Sequence, residues 1–301
     1  MRLGVAASPD VAIPTLEALL KSEHELVRIF SQPDRPAGRG RTLTPTAVSQ
    51  WAKGNEIDLF TPTRATDLMG HIEDLDCVIT IGYGLLIPEE VLSIPIHGFL
   101  NLHFSLLPRW RGAAPVQRAI EAQDPVTGVS VFQLDRGMDT GPIYVMNRFA
   151  LDDDITSDEL FIELGELGVE AVLETLQMIG KGVRPQPQPT EGATRAHKLS
   201  REEGRIDWNR SRDEVSAHIR AFTSSPGAWT QFRDTPLKIS RISLSEVVLK
   251  PGVVSVREKR VFIGTGTQAL EIVQVIPTGK PSMNAIDWAN GARLQEGEKC
   301  E

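Results

Sequence analysis

Cysteine is scarce in this 301-residue sequence, which contains only Cys77 and Cys300. Cys77 lies in an apolar run and Cys300 precedes the last residue, so a disulfide framework and a thiol-rich metal site are both excluded. We expect a buried thiol at Cys77 and an exposed one at Cys300. The histidines show no spacing typical of metal ligands, so we expect no bound metal.

Long apolar runs and a basic leader are missing as well. No stretch approaches the roughly 20 apolar residues that span a bilayer. Residues Met1–Ala7 lead directly into an apolar strand, without the basic region and cleavage site of a secretory signal. With 41% hydrophobic and 24% charged residues, the composition is that of an ordinary globular protein. We therefore expect a cytoplasmic protein that makes no contact with a membrane.

Positive charge is also in deficit, because the formal net charge is −8. Indiscriminate binding to nucleic acid requires clustered Lys and Arg, so a protein of that class is excluded. The acidic excess lies in residues 1–205, since residues 206–301 contain 13 Lys and Arg against 11 Asp and Glu. A local basic surface in the C-terminal part remains compatible with the sequence.

Short apolar strands alternate with helical segments in residues 1–178. This alternation predicts an α/β fold with a Rossmann-like, mostly parallel sheet and helices on both faces. Ligands of such sheets bind beyond the carboxyl ends of the strands. The predicted strands are 2–6, 26–31, 77–82, 98–103 and 129–134, and the predicted helices are 11–21, 46–53 and 113–122.

A chain of this length is expected to contain two domains. Residues 179–205 are the candidate linker, because Pro, Gly and polar residues there favour extended backbone. In residues 206–301, a helix at 212–222 precedes five short strands, a pattern that predicts a small C-terminal β-barrel of the oligonucleotide-binding (OB-like) type. The predicted strands are 229–232, 237–244, 252–256, 260–265 and 269–276.

Three polar residues follow two of the predicted strands of the first domain. Asn101 and His103 occupy alternate positions at a strand end, so their side chains should point to the same side. Asp139 lies in the loop after the next strand, and it can reach His103 if the two strands end at one edge of a shared sheet. An amide, an imidazole and a carboxylate suit acyl transfer. Taken singly, an Asn or His at a strand end is more often a turn or core residue, and Asp before Thr-Gly is a common turn.

The segment between these residues is the most specific motif in the chain. It reads Ser105-Leu-Leu-Pro-Arg-Trp-Arg-Gly-Ala-Ala-Pro-Val-Gln-Arg118. With the polar residues on either side, it resembles the signature of the formyltetrahydrofolate-dependent formyltransferases, most closely the branch that acts on methionyl-tRNA. The resemblance implies that Asn101, His103 and Asp139 are catalytic. It also implies that Ser105, Leu106, Leu107 and Pro108 contact tetrahydrofolate, and that 10-formyltetrahydrofolate is the formyl donor.

A second resemblance concerns the loop at residues 32–41, which is similar to the loop that this family inserts against the tRNA acceptor end. It implies tRNA contacts by Arg35, Arg39 and Arg41, which without the family would be only a basic loop. Residues 198–208 and 220–222 resemble the start of the family's second domain. Together these matches imply transfer of a formyl group to the amino group of methionyl initiator tRNA, by direct attack through a tetrahedral intermediate. We expect a monomer.

Other functions remain open at this point. A relative of the same superfamily would formylate a smaller amine or pass the formyl group to water. A serine hydrolase would use Ser105, but Pro108 and the strand-end position do not resemble a nucleophile elbow. A non-enzymatic RNA-binding protein would leave the polar trio without a purpose. Two departures from the family pattern, Ala7-Ser8-Pro9 and Phe104, should alter packing and leave the activity in place.

Overall fold

The computed structural model describes residues 1–37, 42–295 and 297–301, and its chain divides into two compact units. The first unit comprises residues 1–112, 126–150 and 161–196, and the second comprises residues 113–125, 151–160 and 197–301. The strands of the first unit, numbered in chain order, are β1 (Arg2–Ala7), β2 (Glu25–Phe30), β3 (Arg35–Ala37), β4 (Thr42–Thr44), β5 (Asp58–Phe60), β6 (Cys77–Ile81), β7 (Phe99–His103), β8 (Arg111–Gly112), β9 (Val126–Gln133), β10 (Ile143–Ala150) and β11 (Arg195–Ala196).

Helices occur in both units of the chain. The α-helices are α1 (Ile13–Leu20), α2 (Ala47–Gly54), α3 (Glu89–Leu92), α4 (Pro115–Glu121), α5 (Ser157–Gly180), α6 (Arg212–Phe222) and α7 (Ala285–Ala292). Local sequence explains several of their starts. The Thr46 hydroxyl accepts the Ser49 N–H at 3.0 Å ahead of α2, and Ser211 and Glu214 form a reciprocal capping box at the start of α6.

A seven-stranded sheet forms the centre of the first unit, in the order β10-β9-β7-β6-β1-β2-β5. β5, β2, β1, β6 and β7 pair in parallel, whereas β9 runs antiparallel to both β7 and β10. The strand order reverses between β1 and β6, the position where such sheets bind ligands. The predicted Rossmann-like, mostly parallel sheet is therefore confirmed.

Both faces of the central strands are covered, which explains why β1 and β6 are buried at nearly every position. On one face, Ala6, Phe30, Val78 and Phe99 pack with side chains of the 65–75 and 83–92 segments. On the opposite face, α5 approaches so closely that a Cβ on Gly168 would lie 2.6 Å from the Leu102 side chain. Helices thus lie on both faces, as predicted.

The second unit contains an antiparallel sheet that the C-terminal segment closes. Its strands are β12 (Trp229–Phe232), β13 (Thr235–Leu244), β14 (Val254–Arg257), β15 (Arg260–Ile263), β16 (Leu270–Pro277) and β17 (Met283–Asn284), with the order β12-β13-β16-β15-β14 and β17 beside β16. Residues 298–301 pair with both edges: Glu301 exchanges two backbone hydrogen bonds with Gln231, and Cys300 donates its N–H to the Gly252 carbonyl. The result is a small β-barrel, as predicted.

Barrel closure corrects the expectation for Cys300. Its side chain is only 4% exposed, because the backbone of residues 299 and 300 bridges Val253 on one edge and Phe232 on the other. Burial raises the pKa of the Cys300 thiol to about 12, and it raises that of the Cys77 thiol to about 12 as well. Both thiols therefore belong to the core.

No helix in the described part of the chain is long and apolar enough to cross a membrane. α5 has the length, with 24 residues, but acidic side chains recur along it.

Candidate active site

β7 places Asn101 and His103 on one face, as the two-residue period of a strand requires. Asn101 pairs in register with Thr80 of β6, and the Thr80 hydroxyl lies 2.8 Å from Asn101 Oδ1. Because a hydroxyl can donate to this carbonyl oxygen, the Asn101 NH₂ group is the end of the amide turned away from Thr80. That NH₂ group makes no hydrogen bond within the described residues, so it is available to a substrate.

An acceptor lies opposite each ring nitrogen of His103. Nε2 is 2.9 Å from the Trp110 carbonyl oxygen, and Nδ1 is 3.8 Å from Oδ2 of Asp139. Since a carbonyl oxygen only accepts, Nε2 bears a proton and donates it to Trp110. The 3.8 Å separation is too long for a hydrogen bond, so Nδ1 is not hydrogen-bonded to Asp139.

Asp139 is held in place through its own carboxylate and through its backbone. The Gly112 N–H donates to Oδ2 of Asp139 at 2.7 Å. Asp139 has a φ of +53°, and Trp110, whose carbonyl meets His103, has a φ of +63°. Left-handed backbone at residues other than glycine costs of order 1 kcal/mol or more, and it occurs mainly where the surrounding structure enforces it, commonly at functional sites.

The loop from 134 to 142 must turn back on itself to bring Asp139 to His103. β9 runs antiparallel to β7, with His103 opposite Ser130 and Leu100 opposite Gln133, so β9 ends beside the start of β7. The two strands therefore share a sheet but do not end at the same edge, and Asp139 reaches His103 although that condition of the sequence analysis is not met. Asp135 organises the loop by accepting the Gly137 N–H at 2.9 Å and the Thr140 hydroxyl at 2.7 Å.

The turn at Ser105, Leu106, Leu107 and Pro108 has two buried and two partly exposed side chains. The Ser105 hydroxyl donates to the Arg109 carbonyl at 2.7 Å, and Leu107 packs with Phe132 and Ile143. The Ser105 hydroxyl and the Leu107 N–H both form hydrogen bonds within the protein. Leu106 and Pro108 are the two residues of the turn that are partly exposed. Because the Ser105 proton goes to Arg109, the structure provides no support for a serine nucleophile activated by His103.

The two departures from the family pattern are absorbed by packing. Ser8 accepts the Gln32 N–H with its hydroxyl at 3.3 Å. Phe104 is 6% exposed and forms an edge-to-face contact with Phe161, with ring centroids 5.9 Å apart. Neither residue takes a polar group away from the trio.

Gln188 lies in the candidate linker and is not among the predicted site residues, but it contacts the loop that carries Asp139. Its Nε2 donates to the carbonyl oxygens of Asp139 at 2.9 Å and Gly141 at 2.7 Å. Its Oε1 accepts two hydrogen bonds from Arg111, at 3.1 and 2.6 Å. No local pattern reveals these contacts, because the partners are 47 to 77 residues away in sequence.

Of the three arginines predicted to bind tRNA, the structure describes only Arg35. Arg35 begins β3 and is exposed, and it pairs in register with Thr44 of β4. Arg39 and Arg41 lie outside the described residues. In the part of the chain that the structure describes, no group of three or more His, Cys, Asp or Glu side chains is arranged to hold a metal ion.

Comparison with known proteins identifies two domains in the chain. Residues 3–176 match the formyl transferase family, and residues 198–293 match the formyl transferase C-terminal domain. The chain is 41% identical to a methionyl-tRNA formyltransferase from Salinispora tropica over 305 residues, covering 99% of each chain. It also resembles in fold a methionyl-tRNA formyltransferase structure from Clostridium thermocellum, with a TM-score of 0.60, 18% identity and coverage of 81% of this chain and 94% of that one.

A further solved structure, HypX from Aquifex aeolicus in complex with tetrahydrofolic acid, has a TM-score of 0.70 and 20% identity. The match covers 99% of this chain and 48% of HypX, so the chain spans about half the length of that protein. These structural likenesses confirm the fold, and the sequence matches confirm the family resemblance found in the motifs. The chain belongs to the formyl transferase family, as an enzyme of the methionyl-tRNA formyltransferase group.

Proposed function

We propose that this enzyme transfers the formyl group of 10-formyltetrahydrofolate to the amino group of methionyl initiator tRNA, for translation initiation. The amine attacks the formyl carbon directly, a tetrahedral intermediate forms, and the folate nitrogen departs with a proton. One observation supports this above all: Asn101 and His103 share one face at the end of β7, where Asp139 lies 3.8 Å from His103.

Each member of the trio has a distinct task in this mechanism. The NH₂ group of Asn101 donates to the oxygen of the formyl group as it becomes an oxyanion, a contribution of about 10²- to 10³-fold in rate for one such donor. Protonated His103 adds a second donor and relays a proton to the leaving nitrogen. Asp139 stabilises the charged ring by its negative charge, while the Trp110 carbonyl oxygen holds the ring through Nε2. No covalent enzyme intermediate is required.

For the formyl donor, we propose contacts with the turn from Ser105 to Pro108. Leu106 and Pro108 expose apolar surface there, whereas Ser105 and Leu107 fix the turn from within. Apolar walls with a few placed polar groups suit a flat aromatic ligand such as a pterin. The tetrahydrofolic acid complex of HypX supports a folate ligand for this fold.

For the tRNA, we propose contacts with Arg35, Arg39, Arg41 and the C-terminal barrel. Arginine suits both phosphates and unpaired bases, and exposed Arg35 begins the segment in question. In this proposal, residues 1–178 are the catalytic domain, 179–205 the linker and 206–301 the tRNA-contacting domain. The enzyme acts as a monomer in the cytoplasm, beside the translation machinery that uses its product.

The proposal is tested by measuring formylation with purified full-length protein and 10-formyltetrahydrofolate. The acceptors are methionyl initiator tRNA, the same tRNA uncharged, and small amines that include an amino sugar nucleotide. Transfer to the charged tRNA alone is the expected result. Formylation of a small amine, or release of formate without transfer to tRNA, would keep the catalytic trio and reject the proposed acceptor.

A further inference from the structure

The residues from Trp110 to Gly112 touch both members of the His–Asp pair. Trp110 accepts from His103, and Gly112 donates to the carboxylate of Asp139. Between them, Arg111 turns its side chain to Gln188. Three consecutive residues therefore form hydrogen bonds with His103, Gln188 and Asp139. The relative position of His103 and Asp139 depends on how residues 110–112 pack against the Asp139 loop.

Gln188 connects those two elements with all four hydrogen bonds that a carboxamide can make. Its oxygen accepts twice from Arg111, and its nitrogen donates once to Asp139 and once to Gly141. The orientation of the amide is fixed by chemistry, because a guanidinium only donates and a carbonyl only accepts. A reversed amide would lose all four bonds.

The segment around Gln188 is itself anchored in the same unit. Two residues earlier, Gln186 exchanges backbone hydrogen bonds of 2.7 Å with Ile143 at the start of β10. Further along, Thr194 accepts the Trp110 N–H with its hydroxyl at 2.9 Å and the Arg111 N–H with its carbonyl oxygen at 2.9 Å. The segment that carries Gln188 is thus hydrogen-bonded to β10 at one end and to Trp110 and Arg111 at the other.

We infer that Gln188 is a positioning residue, which holds the Asp139 loop against Arg111 and so sets the placement of the Asp139 carboxylate relative to His103. The inference rests on the proposed catalytic role of Asp139. A shift of about 1 Å in a catalytic group can lower the rate by as much as 100-fold, so loss of this anchor should reduce kcat. Substrate binding should change little, because Gln188 acts on the enzyme's own loop.

The test compares Gln188→Glu with Gln186→Glu, the same substitution at an exposed side chain two residues away. Glutamate at 188 keeps an acceptor for Arg111, but it loses both donors and places a negative oxygen against two carbonyl oxygens. We expect kcat for formyl transfer to fall about tenfold or more, with the KM values of both substrates nearly unchanged. The control variant should retain the activity of the original enzyme.

A double-mutant cycle with Asp139→Asn separates positioning from general damage. If Gln188 acts through the Asp139 carboxylate, adding Gln188→Glu to Asp139→Asn should lower kcat by less than a further twofold. The inference would be overturned if the double variant lost kcat by the product of the two single-variant factors. It would also be overturned if Gln188→Glu kept the kcat of the original enzyme while Asp139→Asn was impaired. Full activity in Asp139→Asn alone would reject the proposed role of Asp139 and, with it, this inference. Gln188→Ala, without an added charge, provides the same cycle if Gln188→Glu does not fold.

Discussion

The carbonyl oxygen of Trp110 lies 2.9 Å from Nε2 of His103 and commits that ring nitrogen to a structural hydrogen bond. In the proposed mechanism, Nδ1 is therefore the nitrogen that acts on the substrate, and the carboxylate of Asp139 lies 3.8 Å from it. The ring therefore lies between two acceptors, the Trp110 carbonyl oxygen and the Asp139 carboxylate. In the proposed chemistry, Nε2 holds the ring in place and Nδ1 transfers the proton.

Replacing His103 by alanine should remove catalysis and leave binding intact. A proton-transferring group contributes about 10²- to 10⁴-fold to the rate, so we expect formylation to fall at least about 100-fold. The dissociation constant for methionyl initiator tRNA, measured by filter binding, should stay within twofold. His97→Ala, at a turn before β7, is the matched control. Full formylation activity in His103→Ala would refute the assigned role.

Gly112 should not tolerate a side chain. Its φ is +123°, and an added Cβ would lie 2.6 Å from the Ala196 carbonyl oxygen, so Gly112→Ala must displace the N–H that holds Asp139. We expect formylation to fall at least tenfold and the free energy of unfolding to decrease by about 1–3 kcal/mol. Gly291→Ala in α7 is the control, since nothing lies within 4 Å of its Cβ position. Calorimetry and the formylation rate should distinguish the two, and a fully active Gly112→Ala would contradict the geometry.

Arg39 should contribute to tRNA binding through phosphate contact. We expect Arg39→Ala to lower kcat/KM for methionyl-tRNA about tenfold while the KM for the folate stays constant. The slope of log affinity against log salt concentration should become shallower by about 0.7–0.9, the value for one lost phosphate contact. Lys21→Ala removes an equal charge from an exposed site after α1 and should leave the slope unchanged. An unaltered slope in Arg39→Ala would exclude the contact.

Glu121 should stabilise the second unit in a pH-dependent manner. Its hydrogen bond with His218, at 3.2 Å, and then that with Arg118, at 2.8 Å, hold the pKa of Glu121 below 4.5. The stabilisation is therefore complete above pH 4.5 and is lost as the pH falls through the lowered pKa of the folded state. We expect Glu121→Gln to lose about 1–3 kcal/mol in urea unfolding at pH 7, with a smaller difference from the original protein below pH 4.5. Glu170→Gln, exposed on α5, should show no such trend, and a constant difference at Glu121 would be evidence against the ion pair.

Strands buried on both faces are the part of the fold that the sequence predicts best. β1 and β6 consist almost entirely of apolar residues, so their predicted bounds differ from the observed ones by a single residue. The placement of Asn101 and His103 on one face follows from alternation alone, since the period of a strand does not depend on its neighbours. The sequence motif at residues 105–118, between His103 and Asp139, was sufficient to identify the family.

Features that depend on distant partners were not predictable. The antiparallel direction of β9 cannot be read from its own sequence, because its interior positions are all buried, as in a parallel strand. Extended backbone was expected near Gln188, but its partners lie far away in sequence. The sequence prediction does not include α5, although Leu160, Leu164, Val172, Leu176 and Ile179 recur at helical spacing.

Direct transfer of the formyl group is tested most directly by a single-turnover reaction with donor labelled in that group and enzyme in excess over methionyl initiator tRNA. The label should pass into formylmethionine at the rate at which it leaves the folate, and protein precipitated at any time should be unlabelled. Label bound to the protein before it reaches the acceptor, or released as formate, would contradict direct attack of the methionyl amine on the formyl carbon.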